Sequence, residues 1–129
     1  MNKVSISRES LEQKDIRQLL QLLSDSKRIQ KAKTLYISDI KIIFQSDEGY
    51  MYEIKGTKQT YYLRIDLKNK VLIHNCDDWV HRGLRNNKLC KHFIRVFQLL
   101  YDKEAKRILI DLILSPWIFS DSDTYLKNL

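Results

Sequence analysis

At 129 residues the chain has the length of one domain, with 23 Lys and Arg against 16 Asp and Glu for a formal charge of +7. That balance suits nucleic acid, an acidic protein or a membrane surface, and it carries no information about fold. No stretch reaches the ~20 apolar residues of a membrane span, and MNKVSISRESLEQKD lacks the apolar core of a secretion signal. The expectation is therefore an intracellular, reducing location, cytoplasmic or nuclear/nucleoid, with no membrane partner, where cysteines serve metal rather than disulfides.

In chain order, residues 1–6 read as frayed, and Ser7 or Ser10 can cap a helix through Ile16, Leu19, Leu20 and Leu23. Ser24-Asp25-Ser26 breaks it and offers a fresh cap for a basic turn carrying Lys27, Arg28, Lys31 and Lys33. From Leu35 the period changes to two. Ile40, Ile42 and Phe44 share one face, then Tyr50, Tyr52 and Ile54, then Tyr61, Leu63, Ile65 and Leu67, then Val71 to Cys76. Turns at Ser46–Gly49, Gly56–Lys58 and Asn69 are short, which makes neighbouring strands antiparallel and predicts a four-stranded meander. A polar loop, Asp77 to Leu89, follows. Phe93, Val96, Phe97 and Leu100 then recur at helical spacing, as do Ile108, Leu109, Leu112 and Ile113 before Ser115-Pro116. Trp117, Ile118 and Phe119 either close the core or face a partner. The fold class is α+β: an N-terminal helix over 1–26, a core over 27–101, and a C-terminal helix and tail over 102–129, all in one domain.

Both cysteines and all three histidines lie between Val71 and Phe97. Four of them form two short pairs, His74-x-Cys76 and Cys90-x-His92. Two nitrogen and two sulfur donors on a loop-joined pair of half-sites suit one structural, tetrahedral Zn²⁺. At the end of a strand, residues i and i+2 share a face, so His74 and Cys76 can reach one ion. Within an α-helix such residues lie roughly 200° apart, so Cys90 and His92 can chelate together only where a loop enters a helix. The cysteines could instead be buried thiols or one disulfide. His81, in the loop, could replace His74.

The pattern resembles the SWIM zinc-finger domain, whose motif is Cys-x-Cys, a variable loop, then Cys-x-His leading into a helix. The resemblance runs upstream through a basic helix end and strand (RIQKAKTLYISDIKIIF), a Gly-containing hairpin (YEIKGTKQ) and the strands before the first ligands (YYLRIDLKNKVLIHNC), covering roughly Lys27 to Tyr101. It departs at one ligand, since the family's first Cys is His74 here. Two thiolates then give a formally neutral zinc centre. SWIM domains occur in mutator-type transposases, SWI/SNF-family ATPases and recombination adaptors and are thought to bind DNA or protein. Stand-alone members are similar to accessory factors that pair with RecA-type recombinase paralogues, so the resemblance implies a role in DNA recombination or repair.

A closed four-ligand shell argues against an enzyme, because a catalytic zinc keeps a position open for water. Asp77 and Asp78 are candidate bases by adjacency alone, and no phosphate loop, HExxH helix or nucleophile elbow is present. No small-molecule substrate is expected. A clamped loop could instead present Arg82, Arg85, Lys88 and Lys91 to phosphates, with Trp79 either stacking on a base or packing beneath the loop. The alternative is a protein-interaction adaptor whose C-terminal apolar residues dock on a partner.

Overall fold

The structure is a computed structural model and describes residues 6–121. Of the frayed start expected over residues 1–6, all but Ile6 lies outside the described residues, as does the tail beyond Asp121. The N-terminal helical stretch is broken in two rather than continuous. Ser7 caps α1 (Arg8–Glu12), and Asp15 opens α2 (Ile16–Leu23) with a capping box in which its carboxylate accepts from the Gln18 amide and the Gln18 side chain accepts from its own. The apolar period runs on through Asp15, which conceals it as a cap. The next cap is Asp25, as the Ser-Asp-Ser stretch implied, and it starts α3 (Ser26–Ala32).

A 3₁₀ turn at Ile37–Asp39 leads into β1 (Ile40–Ser46), followed by β2 (Gly49–Lys55), β3 (Thr60–Asp66) and β4 (Val71–His74). These four are the antiparallel meander that the short turns require. Among the described residues the sheet nevertheless has five strands. After α5 (Lys91–Leu99) and α6 (Asp102–Leu114), β5 (Ile118–Ser120) adds to the outer edge of β4 in parallel, making the sheet mixed. A three-residue strand is too short to show a period, and its pairing depends on the helices carrying the chain back across the sheet.

One face of the sheet carries Tyr52, Ile54, Leu63, Ile65 and Leu72 against α2, α5 and α6; Leu19, Phe93, Phe97, Ile108 and Leu109 complete this main core. The other face carries a smaller cluster of Met51, Val71 and Ile73, joined by Phe44 and Tyr62. Phe44 therefore does not share the face of Ile40. A bulge at Ile43 sets Ile42 opposite Tyr52 but Phe44 opposite Met51, and the extra residue reverses the alternation.

Candidate metal centre

The four paired residues meet at the junction of sheet and helix. His74 ends β4 and Cys76 follows two residues later, while Cys90 is the extended N-cap of α5 and His92 lies in its first turn. This is the loop-to-helix entrance that the Cys-x-His spacing demanded. One donor atom from each of the four lies within 4.8 Å of all the others, and all four side chains are buried. His74 Nε2 and His92 Nδ1 stand 3.1 Å apart. Two nitrogens at ordinary zinc bond lengths of ~2.05 Å would span a tetrahedral edge of about 3.3 Å, so the spacing fits. A metal ion can be held here.

The surroundings orient the donors. The Tyr62 carbonyl lies 2.6 Å from His74 Nδ1. A carbonyl only accepts, so Nδ1 carries the proton and Nε2 keeps its lone pair toward the site, the arrangement that sets the tautomer of a metal-binding imidazole. Between the ligands, Asn75 faces away and accepts from the Tyr62 amide, pinning β4 to β3 beyond the last ladder pair. The Trp79 amide donates to Cys76 Sγ at 3.4 Å. On the other half-site, the Leu89 amide donates to the Leu23 carbonyl and the Ser24 hydroxyl to the Leu89 carbonyl, so the end of α2 fixes the residue before Cys90.

The thiols are unequal. Hydrogen bonding with the Cys90 thiol holds Cys76 well below the usual thiol range against its burial. Burial, followed by the hydrogen bond to Cys76 and that sulfur's charge, pushes Cys90 up. Burial also lowers His92, which favours the neutral imidazole that a metal needs. A dication bound by both sulfurs would have to draw the proton off Cys90 as well.

Compared with known protein families, curated proteins and solved structures, the chain matches none.

The segment expected to be a loop is largely helical. Residues 77–86 form a helix with a π turn at Trp79–Gly83 running into α4 (Leu84–Asn86), which ends on Asn87 in the left-handed conformation. His81 is exposed and outside the donor cluster, so it does not replace His74. Trp79 corrects the base-stacking expectation. It is 0% exposed, stacks on Phe119 at 5.1 Å, packs on Phe93 at 4.6 Å, and its Nε1 donates to the Ser120 carbonyl at 2.8 Å. A ring enclosed on every side is unavailable to a base. Gly83 explains how the turn closes over it: a Cβ there would stand 2.7 Å from the indole.

Arg82 is also engaged, donating to Asp25 at 2.6 Å. Asp25 pairs in addition with Arg28, whose guanidinium grips Asp78 with two bonds of 2.6 and 2.7 Å. This four-residue network docks the 77–86 helix on α3. It was invisible in the sequence because its members lie 50 or more positions apart across the halves it joins. Arg85 is exposed, Lys88 and Lys91 are half-exposed, and these three have no carboxylate partner among the described residues. Phe119 closes the core on Trp79 while the Trp117 indole donates to Asp111, so these two rings face inward, and of Trp117, Ile118 and Phe119 only Ile118 is exposed.

Proposed function

We propose that the protein is a non-catalytic, zinc-stapled module of SWIM type that binds nucleic acid and acts as an accessory factor in DNA recombination or repair. The observation that carries the zinc is the buried His74, Cys76, Cys90, His92 set, two imidazoles and two thiols converging between β4 and α5. This donor set suits zinc above other divalent ions, and four protein donors leave no coordination position for a reacting water. The ion would tie the last meander strand to the helix that carries Phe93 and Phe97 into the core. The Cys-x-His half-site at a helix entrance, preceded by a hairpin sheet, also supports the SWIM resemblance, with His74 in place of the motif's first cysteine.

The nucleic-acid reading rests on the +7 charge and on Arg85, Lys88 and Lys91, which have no carboxylate partner among the described residues. Trp79 and Arg82 drop out of the binding set, the one enclosed in the core and the other paired with Asp25. The test is a salt titration of oligonucleotide binding to zinc-loaded protein. Replacing Arg85, Lys88 and Lys91 by Ala should weaken binding evenly across sequences and flatten the log–log salt slope by about 0.7–0.9 for each phosphate no longer neutralised. No binding at low salt would refute the reading.

An adaptor role, including pairing with a RecA-type recombinase paralogue, has one observation in its favour. Ile37, Ile42 and Ile43 are exposed around the outer edge of β1, which no strand pairs among the described residues and where a partner strand or apolar surface could dock. Trp117 and Phe119 do not serve such docking, because they are used internally.

A further inference from the structure

Beside the metal centre lies a cleft of about 390 Å³, with Cys76 and His92 in its wall. Its volume falls within the roughly 300–1,000 Å³ range of small-ligand sites. Two aromatic rings line it. Tyr61 is half-buried and leans on the His92 ring at 5.4 Å, whereas Tyr36 is 73% exposed and stacks on no other ring among the described residues. One ring is thus fixed against the metal ligands and the other is free at the lip.

Four charges complete the lining. Lys55 and Lys91 bring cations, Asp39 and Asp77 bring carboxylates, and none of the four has an ion-pair partner among the described residues; Asp78, also present, is occupied by Arg28. A groove for a duplex backbone would carry cations alone, since carboxylates repel phosphate. An apolar peptide would leave all four charges unmatched. A flat ring with N–H donors on its edge and an anionic phosphate attached satisfies rings, carboxylates and lysines together.

We propose that this cleft holds one unpaired nucleotide of a single-stranded nucleic acid, its base against Tyr36 and Tyr61 and its phosphates toward Lys55 and Lys91. The proposal rests on the nucleic-acid reading above and assigns the base contact to Tyr36, a residue the motif does not include. Asp39 and Asp77 accept from the base edge. Because two of the four candidate metal donors, Cys76 and His92, form the wall, a bound metal would shape the cleft as well as the fold.

The test is fluorescence anisotropy of the zinc-loaded chain with labelled single-stranded DNA, single-stranded RNA and a duplex of the same sequence at low salt. Tyr36 is exposed, so Tyr36→Ala leaves fold and metal content unchanged. It should weaken single-strand binding by roughly 5- to 150-fold and leave duplex binding unaltered, while Tyr36→Trp restores it. Lys55→Ala should lower the single-strand salt slope by about 0.7. Wild-type binding that neither variant changes overturns the cleft assignment and leaves the nucleic-acid reading standing. Wild-type protein that binds no oligonucleotide removes both. Cleft amides shifted in NMR spectra by a peptide carrying Phe and Asp, and not by the oligonucleotide, would assign the cleft to a protein partner and also overturn the proposal.

Discussion

Replacing Trp79 by Ala separates a structural indole from a base-stacking one. The ring is fully buried between Phe93 and Phe119, and its N–H is bonded to the Ser120 carbonyl. Truncating a buried aromatic costs ~3–5 kcal/mol, since the lost transfer energy adds to a cavity that the rigid sheet and helix cannot fill. The hydrogen bond to β5 adds ~1 kcal/mol. With a urea m-value of about 2 kcal/mol per molar, a loss of about 5 kcal/mol moves the unfolding midpoint down by about 2.5 M. Trp79→Phe keeps a packed ring and loses the N–H, so its shift should be less than half as large. The assay is urea denaturation of zinc-loaded protein followed by circular dichroism, with hydrogen exchange at Ile118–Ser120 reporting whether β5 detaches. A Trp79→Ala protein with an unchanged midpoint and selectively lost single-strand binding would refute the reasoning and return Trp79 to the binding surface.

Cys90→Ser should abolish metal loading and leave the α5 junction unfolded, because structural zinc contributes ~10–16 kcal/mol in small zinc domains, as much as a whole domain's net stability. Metal analysis should find one ion per wild-type chain, retained in His81→Ala and lost in His74→Ala. Asp25→Ala should cost about 1–2 kcal/mol, mostly the helix cap, while Asp25→Asn keeps the cap; the difference between their denaturation midpoints isolates the partly exposed pairing with Arg28 and Arg82. Burial works against Asp111, but hydrogen bonds from Trp117, Lys70 and Ser115 outweigh it and hold the carboxyl below its ordinary value. A depressed carboxyl stabilises the fold fully above its unfolded pKa and loses that contribution as pH falls through the folded one. The gap in thermal stability between wild type and Asp111→Asn should therefore be widest near neutral pH and close in acid.

The convergence of four donors that could hold a metal was legible in the chain because the pairing of each half-site is a local constraint. Two residues apart on a strand end, or astride a helix entrance, donors converge whatever the rest of the protein does, and His74, Cys76, Cys90 and His92 meet as their spacing required. The meander and the two C-terminal helices were legible for the same reason, since alternation and helical period are properties of neighbouring residues. Other features depended on groups far apart in the chain. The bulge at Ile43 turns Phe44 to the opposite face through its pairing with β2, and the three-residue β5 exists only because α5 and α6 return it to β4. Trp79 offered two equally good local readings, and its burial was decided by Phe119 some forty residues later. Arg82 looked like a free cation until folding brought Asp25 to it. Sequence spacing could specify which side chains converge as donors that could hold one ion; whether a polar or aromatic side chain faces solvent depends on the partners that the packed structure supplies.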